Sequence, residues 1–145
     1  MIAIRLAAPA DRSRVQEFYR AVGYGREISA ADRVILAEED GKIVGLLRLA
    51  FEEGVTVLRG VRVVEALQRR GVGTQLLERT ASELGDAACW CIPYRHLTSF
   101  YGQIGFREID PSSAPAFLAD RLATYRRERP DVSLCLMLRP APLAL

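Results

Sequence analysis

The run Gln68-Arg69-Arg70-Gly71-Val72-Gly73-Thr74 gathers the residue types of this sequence best suited to hold an anion. The glycines carry no Cβ, so the backbone can turn sharply and a ligand can come close to the amides. An amphipathic stretch follows at once, with Gly73, Leu76, Leu77, Thr80, Ala81 and Leu84 on one face, and it is expected to be a helix packed on a sheet. Its first N–H groups and the positive end of its dipole would point at the same spot, an arrangement that suits phosphate. Two other phosphate-binding patterns are excluded. A dinucleotide fingerprint needs G-x-G-x-x-G, and Leu76 stands where the third glycine belongs. A P-loop needs Gly-Lys-[Ser/Thr], and no lysine lies near. What remains is Gln-x-x-Gly-x-Gly, at Gln68, Gly71 and Gly73.

That pattern resembles the pyrophosphate-binding motif of the GNAT superfamily of acyl-CoA-dependent N-acetyltransferases. Further on, Phe100-Tyr101-Gly102-Gln103-Ile104-Gly105-Phe106 resembles the family's Phe-Tyr followed by Gly-Phe, on a short helix running into a strand. Upstream, Leu36 to Gly45 is similar to the family's second and third strands, so the resemblance spans roughly residues 1–110. It implies an α+β fold: a mixed, mostly antiparallel sheet of six to seven strands, splayed between the fourth and fifth, with helices on both faces. It implies acetyl-CoA as co-substrate, no metal, and acetyl transfer to a primary amine of a small molecule, protein or peptide by direct attack.

The same resemblance implies roles residue by residue. The amides of Arg70, Gly71, Val72, Gly73 and Thr74 would hold the pyrophosphate, beside Gln68, with Arg69 and Arg70 adding charge and the Thr74 hydroxyl a further donor. The main chain of Val61, Arg62 and Val63 would bond the pantetheine arm, and an N–H at Val61 or Val63 would polarise the thioester carbonyl. Tyr101 matches the general acid that protonates the leaving thiolate; equally, it is an aromatic packed beside Phe100. The family's strand carboxylate is replaced by Val57, which leaves Glu27, Glu52, Glu53, Glu65 or a water relay as base. Tyr94 stands where many relatives carry an asparagine that bonds pantetheine. His96 is a relay or a structural residue. Cys91 as an acyl-enzyme nucleophile lacks a paired base in the sequence. The competing class is a CoA-binding module without catalysis, a sensor or regulatory subunit.

Composition sets outer bounds. The chain has 145 residues, half of them hydrophobic, enough for one domain over 1–145 with its own core. A formal net charge of +2, without a dense Lys/Arg cluster, gives no footprint for nucleic acid. No apolar run reaches membrane-spanning length and no charged-then-apolar leader opens the chain, so a cytoplasmic monomer or homodimer is expected. Cys89, Cys91 and Cys135 read as buried reduced thiols; with His96 they make an incomplete metal set.

The elements that must position these groups follow from periodicity. Ile2 to Leu6 reads as a strand. A helix after Pro9 carries Val15, Phe18, Tyr19 and Val22, ended by Gly23 and Gly25, and Arg26 to Asp32 is a loop or short helix. Strands are expected over 34–39 and 42–51, joined at Asp40-Gly41, and over 55–64 after Glu53-Gly54. A fifth strand is expected over 87–92, a short helix over 95–102 and a sixth strand over 106–109. The insertion at about 111–130 carries Leu118, Leu122 and Tyr125 at helical spacing before a last strand over 132–138, and Pro130 stops it. Its other face, with Arg121, Arg126, Arg127 and Arg129, is a solvated face or a lid. The tail from Pro140 is expected to be loose or bound to a partner.

Overall fold

The computed structural model describes residues 1–142 and divides into two compact units, Met1–Glu83 and Leu84–Leu145. The first unit contains β1 (Ala3–Leu6), α1 (Arg12–Ala21), β2 (Arg33–Glu39), β3 (Lys42–Glu52), β4 (Val55–Val63) and α2 (Val72–Leu84). Its strands pair antiparallel in the order β1-β2-β3-β4. Both hairpins close in two residues with left-handed backbone, Asp40 (φ 52°) and Gly41 (φ 76°), then Glu53 (φ 47°) and Gly54 (φ 86°). Those are the φ signs of type I′ turns, whose twist matches that of the strands they join.

Helices cover both faces of this sheet. On one, Val15 and Tyr19 of α1 pack with Ile28, Val34, Leu36 and Leu46. On the other, Leu76 and Leu77 of α2 are fully buried, and a Cβ built on Gly45 would lie 3.4 Å from Leu76 Cδ1 and 3.2 Å from Arg62 O. Successive residues of a strand face opposite ways, so Gly45 and Leu46 serve different helices. The end of α1 has a defined cause. Gly23 (φ 79°) follows the cap residue Val22, with Gly23 N bonded to Arg20 O (3.1 Å) and Tyr24 N to Tyr19 O (2.8 Å). This is the Schellman pattern, and it brings the Tyr24 ring to 4.6 Å from that of Tyr19. The stretch over 26–32 is loop rather than helix.

The second unit contains β5 (Cys89–Cys91), α3 (Thr98–Gly102), β6 (Arg107–Ile109), α4 (Ala116–Glu128) and β7 (Leu136–Arg139), with antiparallel order β5-β7-β6. The strands are shorter than expected over 87–92 and 132–138. Pro93 has no N–H to give a ladder, and beyond it only an isolated bridge, Tyr94 to Leu134, continues the pairing. The insertion is a helix as expected: Leu118 and Leu122 are buried, and α4 ends before Pro130. Arginines of its basic stretch are occupied, Arg127 through a 3.2 Å bond from Nη2 to Thr124 Oγ1. Arg126 Nη2 donates to Leu134 O (3.0 Å) and Arg129 Nη2 to Tyr94 Oη (2.9 Å). Cys89, Cys91 and Cys135 are buried thiols, none of them in a disulfide. Of the expected loose tail, residues 143–145 lie outside the described residues.

A charge network ties β1, α1 and β2 together. Arg5 bonds Asp11 (2.8 Å) and Glu38 (2.7 Å), and Arg14 bonds the same two carboxylates at 3.0 and 2.9 Å. Arg5, with the Ala8 N–H, holds Asp11 far below the usual carboxylate range, and Arg5 and Arg14 lower Glu38. A depressed folded value stabilises fully above the unfolded values of about 3.9 and 4.3, and the gain is lost as pH falls from there toward the folded ones. Asp11→Asn should therefore lower the Tm at pH 7 by on the order of 5 °C and flatten its fall below about pH 4. Thermal scans at both pH values check this; an unchanged acid limb would assign the network no part in stability.

Candidate functional site

One residue too many sits in β4. Val63 pairs with Gly45 and Arg62 with Leu46, then the register breaks and Arg59 pairs with Arg48, leaving Gly60 and Val61 opposite Leu47. Such a bulge takes backbone groups out of the ladder. Gly60 is left-handed (φ 64°), and its carbonyl accepts a 2.8 Å bond from the Tyr19 hydroxyl. Downstream, the bond from Val64 N to Val44 O (2.9 Å) sets the phase. Antiparallel pairs alternate between bonded and non-bonded, so Arg62 turns its amide to β3 and Val63 turns its amide to the outer edge of β4. The Arg62 side chain folds back, with Nη1 donating to Val61 O (2.8 Å) and the guanidinium 5.1 Å from the centre of the Tyr24 ring.

The run Gln68 to Thr74 follows directly. Gln68 Nε2 donates to Val63 O (3.1 Å), anchoring the turn to the end of β4. Arg69 (φ 66°) and Gly71 (φ 83°) are left-handed on either side of Arg70, the kind of alternation that forms a nest of backbone N–H groups. A Cβ on Gly71 would meet nothing within 4 Å, so glycine is selected there by φ and not by crowding. The first helical bond, Gln75 N to Gly71 O (3.0 Å), places Gly73 and Thr74 in the opening turn of α2. Arg69 and Arg70 are exposed. The structure thus brings Val61 to Val63 and Gln68 to Thr74 into one continuous stretch of the first unit.

Tyr101 belongs to the second unit. It is buried on α3, with its ring edge-on to Phe100 (5.0 Å) and Phe106 (6.1 Å). Tyr94 is half-buried and contacts residues of its own unit: Arg129 bonds its hydroxyl, and His96 stacks on its ring at 5.6 Å and 14°. Cys91 is 2% exposed, and burial pushes its thiol well up. A nucleophilic cysteine needs the reverse. Val57, at the family's carboxylate position, is a buried core residue. Of the carboxylates named as bases, Glu52 pairs with Arg59 (2.9 Å) and Glu27, Glu53 and Glu65 are exposed.

The sequence reading passed over a buried polar cluster beside the bulge. Arg48 and Asp32 pair at 2.7 Å with side chains 5% and 3% exposed. Arg48 Nη2 also donates to Tyr24 Oη (2.9 Å), and its Nε is buried without a partner among the described residues. An arginine inside the apolar run Leu46-Leu47-Arg48-Leu49-Ala50, and a glycine in mid-strand at Gly60, were the available signals.

Comparison with known proteins agrees with this architecture. The family description that matches is the acetyltransferase (GNAT) domain, over residues 30–108. The chain belongs to the GNAT family and is an acyl-CoA-dependent acetyltransferase. No curated protein matches it at the sequence level. Among solved structures it is similar to Rv2747 from Mycobacterium tuberculosis, a complex with CoA (19% identity, TM-score 0.69, 97% of this chain and 99% of that one). It is similar to the ribosomal-protein-S18-alanine N-acetyltransferase of Escherichia coli (18%, 0.68, 100% and 97%). An aminoglycoside 6′-N-acetyltransferase complexed with coenzyme A also matches (11%, 0.65, 97% and 99%). Among the described residues no helix is long and apolar enough to cross a membrane.

If the turn holds phosphate, CoA should raise the Tm by mass action on the folded state. Gly71→Asp should abolish that rise by adding negative charge at a position where Asp tolerates left-handed backbone better than most residues. A folded variant with an undiminished CoA response would place the phosphate elsewhere.

Proposed function

We propose that this acetyltransferase moves the acetyl group of acetyl-CoA to a primary amine, of a small molecule or of a peptide, by direct attack. The observation that carries the reading is the continuity of β4, the left-handed turn at Arg69 to Gly71 and the start of α2. One stretch of chain offers amides first to an extended, amide-bearing arm and then to a diphosphate. In this reading Val61 and Val63, on either side of Arg62, bond the pantetheine. The amides of Arg70 to Thr74 hold the pyrophosphate, with the charges of Arg69 and Arg70. The Val61 N–H polarises the thioester carbonyl.

The neutral amine attacks the thioester carbon, forming the C–N bond and leaving negative charge on oxygen beside that amide. The C–S bond then breaks. Tyr101 gives its phenolic proton to the sulfur and recovers one from solvent, while the amine nitrogen loses its proton to water. Water serves as relay in this reading: of the four candidate glutamates, Glu52 is paired with Arg59 and Glu27, Glu53 and Glu65 are exposed. The unactivated, buried Cys91 supports attack without an acyl-enzyme. Buried thiols outside any disulfide accord with a reducing, cytoplasmic setting.

Steady-state thiol release over a panel of small primary amines and peptides tests this, with turnover expected on at least one of them. CoA binding with no turnover on any would overturn it. Tyr101→Phe keeps the ring packed and removes only the donor. It should lower kcat on the order of 10²-fold with acetyl-CoA affinity nearly unchanged; weaker binding at full kcat would make Tyr101 a binding residue instead.

A further inference from the structure

Tyr19 does more than fill the core. Its ring is fully buried beside Val15 and Tyr24, as a packed aromatic should be. Its hydroxyl, however, reaches across 41 residues to a carbonyl of the bulge, Gly60 O at 2.8 Å. Burial pushes the phenol up, so it stays a donor wherever the fold stands. A peptide group is planar and trans, so the Gly60 carbonyl and the Val61 N–H point in opposite directions. Fixing the carbonyl on Tyr19 therefore fixes the aim of the Val61 N–H.

We propose that Tyr19 is a positioning residue for acetyl transfer, its hydroxyl locking the 60–61 peptide so that the Val61 N–H is held on the acyl carbonyl. This rests on the reading above, in which Val61 polarises the thioester. Gly60 completes the lock. It takes the left-handed step (φ 64°), and a Cβ there would lie 2.8 Å from the Tyr19 hydroxyl oxygen and 3.1 Å from Cζ. The ring is braced in turn by that of Tyr24, whose centre lies 4.6 Å away.

The test reads the carbonyl directly. Acetyl-CoA labelled with ¹³C at the carbonyl is bound to the full chain without acceptor, and its stretch is followed by isotope-edited infrared spectroscopy. In the native protein the band should lie below that of free acetyl-CoA. In Tyr19→Phe it should return toward the free value. kcat should fall at least tenfold, since loss of an oxyanion donor outright costs about 10²–10³, while CoA affinity and the KM for acetyl-CoA hold. Gly60→Ala, which keeps the phenol but sets a Cβ against it, should reproduce the band shift. Tyr24→Phe, which removes a neighbouring hydroxyl not bonded to Gly60, should leave the band at its native position. A native shift that survives in Tyr19→Phe or Gly60→Ala, or that vanishes equally in Tyr24→Phe, overturns the positioning role alone. Failure of the native protein to bind or turn over acetyl-CoA would overturn the functional reading beneath it.

Discussion

The bulge at Gly60 and Val61 is the constraint from which the rest of the first unit's functional edge follows. A regular antiparallel ladder would fold every carbonyl of β4 into bonds with β3 or turn it to the outer edge in strict alternation. One extra residue breaks that alternation, frees the Gly60 carbonyl for a side chain on α1, and resets the phase with which Val61 to Val64 leave the ladder. Gln68 then ties the turn to Val63 O. The backbone proposed to hold the pyrophosphate begins at a fixed distance from the bulge and in a fixed direction. Local backbone geometry, more than any single charged side chain, organises this edge.

Buried charge is the second organising fact. Removing Arg48 and Asp32 from water costs free energy that their mutual attraction only partly offsets. An apolar pair in the same volume would often stabilise at least as well. What the polar pair adds is direction. Arg48 holds Asp32 at the head of β2 and the Tyr24 hydroxyl at the end of α1, so a loop of otherwise weak preference is pinned at both ends. The outer network of Arg5, Asp11, Arg14 and Glu38 does similar work nearer the surface, where solvent screens it more.

Local patterns in the sequence identified most of the elements. The Asp40-Gly41 and Glu53-Gly54 turns, the amphipathic stretch of α2, the sharp turn allowed at Gly71 and the helix of the insertion all depend on neighbours within a few residues. The Tyr19 bond to Gly60 was not legible, because it joins positions 41 apart and a tyrosine on the apolar face of a helix looks the same with or without a partner for its hydroxyl. The ends of β5 and β7 were missed for a related reason. Cys89 to Ile92 is apolar throughout, and apolarity continues past the point where Pro93 breaks the ladder. Tyr94 illustrates a third limit. Its departure from the family's usual residue was visible, but its bond to Arg129 depends on how α4 returns to β7.

The two hairpins that frame β3 have a consequence for how this chain can change length. Each closes in two left-handed residues, and neither has slack. A residue inserted at Asp40-Gly41 or Glu53-Gly54 would have to be taken up by a longer loop, by a further bulge or by sliding one strand past its neighbour, and a slip of one position moves every side chain to the opposite face. Between Gly45 and Gly71 the register is read from both sides, by the close approach of Arg62 O to Gly45 and by Tyr19 on Gly60. Residue identity in this segment can drift within its apolar pattern, whereas residue number cannot. Variation in length among chains built this way belongs in the loop over 22–32 and in the stretch over 110–131, which carry no such gauge.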